Sequence, residues 1–141
     1  MHKSGCLYFT LTLIILFIIG CKTPSVKSTD KIPENLEESF SFLNELLADS
    51  LKLKFKLLDE SEAVINSHHG LGMYLRNNWG LWKGSKLSFF FNQKGIMHPD
   101  DMSGIILTSY HRYLNDEQLY LQDQISYYKA YWENLNQVDS K

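Results

Sequence analysis

Apolar positions recur at helical spacing along most of the chain beyond residue 33. Leu36, Phe40, Leu43 and Leu47 fall at i, i+4, i+7 and i+11, one face of a helix over 33–48. Asn35 stands where an N-cap belongs, and Glu38 three residues later completes a capping-box pattern. Glu37 and Glu38 also suit the positive end of the helix dipole. Residues 51–57 carry two patterns at once. Leucine, lysine and phenylalanine alternate as in a strand, yet Leu51, Phe55 and Leu58 share a helical face. Leucine and lysine form helices well and Asp49 or Ser50 can cap, so a short helix with solvated lysines is favoured.

A further helical turn starts at Ser61 and ends before His68 and His69. The helical period then returns up to Asn78. At 100° per residue, Leu71, Tyr74, Leu75 and Asn78 share the core side with Trp79 beside it, while His69, Gly72 and Arg76 share another. A glycine inside a helix costs about 1 kcal/mol relative to alanine. Gly72 therefore signals close approach by a helix or a ligand. Gly80 and Gly84 punctuate a turn around Trp82. Ser85 caps a helix running to Lys94, with Leu87, Phe90 and Phe91 inward and Gly95 in the C′ place.

Pro99 suits the first position of the next helix, and Asp100 and Asp101 its first turn. That helix reaches about Leu114. Met102, Ile106, Tyr110 and Tyr113 form its buried stripe; Asp101, Gly104, Thr108, His111, Arg112 and Asn115 gather opposite. Leu121, Ile125, Tyr128, Trp132 and Leu135 define a last helix, and residues 137–141 are expected to fray. The pattern predicts an all-α fold: a single compact domain over 33–136 with about five or six short to medium helices.

The first 20 residues read differently. Lys3 supplies a positive n-region, and residues 7–19 are apolar except for Thr10 and Thr12. Thirteen residues of helix span roughly 20 Å, short of the ~30 Å hydrocarbon core of a bilayer. A signal-peptide h-region fits better than a spanning helix. It ends in Ile18, Ile19, Gly20 and Cys21, which resembles the bacterial lipobox, with Ile18 where leucine is usual. On that reading residues 1–20 are a lipoprotein signal peptide. Cys21 is the lipidated first residue of the mature chain, and the polar stretch 22–32 with Pro24 is a flexible tether. The expected location is the cell envelope, on a bacterial membrane, periplasmic or surface-facing.

Composition removes several alternatives. The net charge of −2 over 141 residues offers no basic face for nucleic acid. Both cysteines, Cys6 and Cys21, lie in the first 21 residues, so the remainder can form neither a disulfide nor a thiolate metal site. His68 and His69 are adjacent and diverge by about 100° on a helix, which disfavours a shared metal. No metal and no cofactor is expected.

Residues 67–82 mix histidine, arginine, asparagine, tryptophan and glycine more densely than any other window. Histidine with a carboxylate to orient it can serve as a general base, which makes His98, His111, Asp100 and Asp101 the catalytic candidates. The spacings of zinc proteases, serine hydrolases, P-loops and dinucleotide folds are all missing. The aspartates equally serve as helix-start residues. For binding, His69, Arg76, Trp82, His111 and Arg112 are the candidates.

Residues 71–82 (LGMYLRNNWGLW) and 98–114 (HPDDMSGIILTSYHRYL) resemble a family of small bacterial domains known only as a domain of unknown function. The resemblance spans about residues 33–132. It implies a helical 51–57 segment and no activity, cofactor or site residues. The leading expectation is a membrane-anchored lipoprotein whose helical domain binds a protein, a peptide or a small polar ligand. The alternatives are a small hydrolase-like enzyme using histidine and aspartate, and a purely structural envelope protein.

Overall fold

The computed structural model describes residues 31–139. The expected signal peptide, Cys21 and most of the tether lie outside these residues. The described residues form seven α-helices and one π-helical turn, with no strand. They run α1 (Leu36–Leu46), α2 (Asp49–Leu57), α3 (Glu60–Ser67), the π turn (His68–Gly72), α4 (Met73–Asn78), α5 (Lys86–Asn92), α6 (Pro99–Leu114) and α7 (Leu121–Asp139). None of the described helices is long and apolar enough to cross a membrane.

α6 is the axis of the fold. Residues 101–107 are buried without a break, followed by Ser109, Tyr110 and His111. Seven consecutive residues circle a helix almost twice, so α6 must be covered on every side. Each of the other six helices and the π turn packs against it. The two-faced helix expected from the sequence is therefore corrected. Asp101, Gly104 and His111, assigned to the side opposite the buried stripe, are themselves buried. Tyr113, assigned to the buried stripe, is partly exposed and stacks on Phe40 at 4.9 Å between ring centroids.

Local signals explain the helix ends. Asn35 Oδ1 accepts the Glu38 N–H at 2.9 Å. Glu38 reaches back to the Glu34 N–H at 3.2 Å, one residue before the usual partner. Ser85 Oγ accepts the Ser88 N–H at 3.2 Å, Pro99 takes the first position of α6, and Gly95 adopts φ +85°. Ala48 is the N-cap of α2 and supplies no side-chain cap; Asp49 instead pairs with Lys52 at 2.8 Å. On α2 only Phe55 is buried, wedged against Tyr110 and the edge of His111, while Leu51 is exposed.

The π turn departs most from the expected pattern. The Met73 N–H bonds the His68 carbonyl, an i→i+5 step that inserts an extra residue between α3 and α4. The core side of α4 is Leu75, Arg76 and Gly72, with Leu71 half-buried and Tyr74 and Asn78 exposed. Gly72 is in close contact: an added Cβ would stand 3.1 Å from Arg76 Nη1 and 3.5 Å from Leu107. α7 packs through Ile125, Tyr128 and Trp132, and its described backbone is helical to Asp139.

Candidate functional site

Arg112, in the last turn of α6, joins three segments. Its Nε and Nη2 donate to the two carboxylate oxygens of Glu60 at 2.6 and 2.8 Å, a bidentate fork. Its Nη1 donates to the Leu119 carbonyl at 2.7 Å. The Glu60 hydrogen bond raises the guanidinium pKa further above its ordinary value. The next residue of the α6–α7 connection, Tyr120, holds φ +45°, a conformation that costs a non-glycine residue about 1–3 kcal/mol. That conformation sets the phenol ring beside the guanidinium, 5.8 Å from its carbon to the ring centroid.

These residues close one end of a groove of about 660 Å³, within the range of about 300–1,000 Å³ that small-ligand sites occupy. Glu60, Ser61, Val64 and Ile65 form the α3 wall at i, i+1, i+4 and i+5. Thr108 and Arg112, one turn apart on α6, form the floor. The opposite wall is Tyr120 with Asp123, Gln124, Tyr127 and Tyr128 of α7. Ile65 is 70% exposed and Tyr127 66%, an unusual amount of apolar and aromatic surface to leave in water. The fork neutralises Glu60, so Asp123 is the carboxylate of the lining that makes no ion pair among the described residues.

The residues singled out by sequence are dispersed. Of the binding candidates, Arg112 lines the groove and His69, Arg76, Trp82 and His111 do not. Arg76 is 6% exposed, where a free polar face was expected. Its Nε meets Asp100 Oδ1 at 3.1 Å, its Nη1 donates to Ser103 Oγ at 2.8 Å, and its Nη2 donates to the His68 carbonyl at 3.3 Å. The charge is buried because α6 and the π turn satisfy it there. His111 is buried with Nε2 2.9 Å from the Leu58 carbonyl, which can only accept. Nε2 therefore carries the proton, and Nδ1 has no hydrogen-bond partner among the described residues. His69 lies at the surface, edge-on to His68 at 4.8 Å, and Trp82 projects from the Gly80–Gly84 turn, 58% exposed.

The catalytic candidates occupy three separate places. His98 stacks on Trp132 at 3.8 Å and 9°, and Trp132 Nε1 donates to Asp101 Oδ2 at 2.7 Å. Burial raises the Asp101 pKa, opposed by that hydrogen bond. His98, Asp101 and Trp132 line a smaller recess of about 370 Å³. Asp100 belongs to Arg76, and His111 to the joint between α2 and α3. His68 Nε2 stands 3.8 Å from Asp100 Oδ1, too far for a hydrogen bond. The described residues hold no His–carboxylate hydrogen bond at the floor of a pocket, the arrangement general-base catalysis needs. Nor do they hold a group of three or more potential metal ligands.

Sequence reasoning missed Tyr120, Asp123, Tyr127 and Ile65. A signal existed for α7: Tyr120, Gln124, Tyr127 and Tyr131 repeat at helical spacing as a second stripe beside the core stripe.

A family model described as "Domain of unknown function (DUF6794)" matches residues 32–114. No curated protein and no solved structure matches the chain. The matched stretch ends with α6, so it includes the floor and the α3 wall of the groove but not α7.

Proposed function

The chain belongs to that family of unknown function, and from this premise we propose a lipid-anchored binding module of the cell envelope. The α3–α6–α7 groove is the binding site, and an apolar peptide segment of a partner protein is the ligand. The observation that carries this reading is the groove itself: a pre-formed cleft with exposed Ile65, Tyr120 and Tyr127 along its walls and a fixed Arg112 at one end. Tyrosines supply large, rigid contact area at low entropic cost, which is why they concentrate in recognition surfaces. Arg76 and His111 act from beneath, holding the π turn and the α2–α3 joint in place. Cys21 is the attachment point, on the strength of the lipobox-like sequence before it.

Two experiments test the two halves. Labelling with a fatty-acid analogue is expected to disappear in Cys21→Ala and persist in Cys6→Ala; label retained in Cys21→Ala defeats the anchor. A photo-crosslinking residue at position 127 of the full chain, in native membranes, is expected to yield a discrete adduct that Ile65→Glu abolishes. The same residue at position 74, exposed but outside the groove, is expected to yield none. Equal adducts from both positions, or none from 127, would refute the binding site.

A further inference from the structure

The residues at which the chain enters the described fold clasp one particular turn. Ile32 Cδ1 lies 3.8 Å from where a Cβ on Gly80 would stand, and the Glu34 carboxylate pairs with Lys86 at 2.6 Å. Gly80 and Lys86 bracket the turn that holds Trp82 and Lys83. The turn is tightly built: Lys83 and Ser85 both donate backbone N–H groups to the Gly80 carbonyl, at 3.0 and 3.2 Å. Gly80 and Gly84 take φ +65° and +78°. Such a turn presents Trp82, 58% exposed, without letting the ring fold back on the core. Phe89, one turn beyond Lys86 on the same face of α5, is 60% exposed. Lys83 makes no ion pair among the described residues.

We infer that the Gly80–Lys86 turn is a membrane-contacting tip, with the Trp82 indole seated at the headgroup level of the bilayer that carries the anchor. The inference rests on the lipid anchor proposed above and adds an orientation to it. Lys31 lies ten positions beyond Cys21, a contour of at most about 35 Å. A domain of about 100 residues has a radius of gyration of about 13 Å, so the fully extended tether is about as long as the domain is wide. The end where the tether enters therefore meets the bilayer at high effective concentration, and that end displays Trp82, Phe89 and Lys83. Tryptophan favours this depth because its ring is apolar and its N–H polar; lysine adds attraction to anionic headgroups.

The test uses the full-length lipidated chain in phosphatidylcholine–phosphatidylglycerol vesicles, with and without brominated acyl chains that quench tryptophan on contact. Trp79 is buried and Trp132 is stacked under His98, so bromine-dependent quenching is expected to come from Trp82 and to be lost in Trp82→Phe. Lys83→Glu is expected to weaken the quenching in anionic vesicles and leave it unchanged in purely zwitterionic ones. Vesicle flotation, run in parallel with Cys21→Ala, reports the anchor separately. Wild type that floats without quenching, or quenches equally in Trp82→Phe, overturns the tip and leaves the anchor standing. Wild type that fails to float removes the anchor and the orientation with it.

Discussion

Gly104 of α6 faces Tyr128 of α7, and its substitution exposes what holds the α7 wall of the groove. A Cβ placed on Gly104 would overlap the Tyr128 phenol oxygen and stand 3.4 Å from the ring carbon that bears it. In a free helix Gly→Ala adds about 1 kcal/mol of stability. Here the added methyl must displace an aromatic side chain packed against the core, and overpacking of that kind costs about 1–3 kcal/mol. The second effect is the larger, so Gly104→Ala is expected to destabilise the protein by about 1 kcal/mol net. For a domain of about 100 residues that lowers Tm by roughly 4–8 °C. The conflict is with one atom, so Tyr128→Phe should relieve it. The phenol makes no hydrogen bond to another described residue, so Tyr128→Phe alone should cost little. The double variant should return to wild-type stability or exceed it, since the alanine then keeps its helical advantage. Urea unfolding of the four proteins measures the coupling directly. Strict additivity, with the double variant no more stable than Gly104→Ala, would refute the contact argument.

Three further outcomes follow. Arg76→Lys keeps the charge but not the three-way fork to Asp100, Ser103 and the His68 carbonyl; a loss of about 1–3 kcal/mol is expected on urea unfolding, and wild-type stability would contradict it. Burial pushes Tyr110 and Tyr128 from 10.0 to about 12, so the folded chain keeps protons that the unfolded chain releases, and stability must fall between pH 10 and pH 12. Each displacement corresponds to a loss on the order of a few kcal/mol at most, and Tyr128→Phe should lose visibly less stability than wild type over that range in alkaline melts monitored by phenolate absorbance. Arg112→Gln releases Glu60 and the Leu119 carbonyl together, and amide exchange should accelerate in both α3 and the first turns of α7; acceleration confined to one of them would break the link.

Helix boundaries were legible where a single residue type does one local job. Asn35, Ser85, Pro99 and Gly95 mark ends through bonds or backbone angles that span at most a turn, and each does so in the structure. The 51–57 segment was harder, because a helix with one buried residue imposes almost no periodicity; Phe55 alone holds it. Arg76 could not be placed from its own neighbourhood. Arginine is ordinarily exposed, and the atoms that reverse this preference come from Asp100 and Ser103, more than 20 residues away. Tyr120 likewise shows no glycine-like signal, although its backbone is left-handed; the Arg112 contact and the start of α7 impose it. The groove was least legible, since its walls come from residues 60–65 and 120–128 and exist only once α6 is between them.

The central position of α6 has a consequence in time as well as in space. A chain that has emerged only as far as Gly95 possesses α1 to α5, helices of 11, 9, 8, 6 and 7 residues, and none of the α6 surface on which they pack. Isolated helices shorter than about 12–15 residues are marginal in water. Such a chain has no core to collapse around, and compaction must await residues 99–114. A fragment ending at residue 98 should show little helical circular dichroism, whereas the chain through residue 139 should show the helical content of the seven helices. Late acquisition of the core leaves most of the polypeptide unfolded and threadable while it is being made.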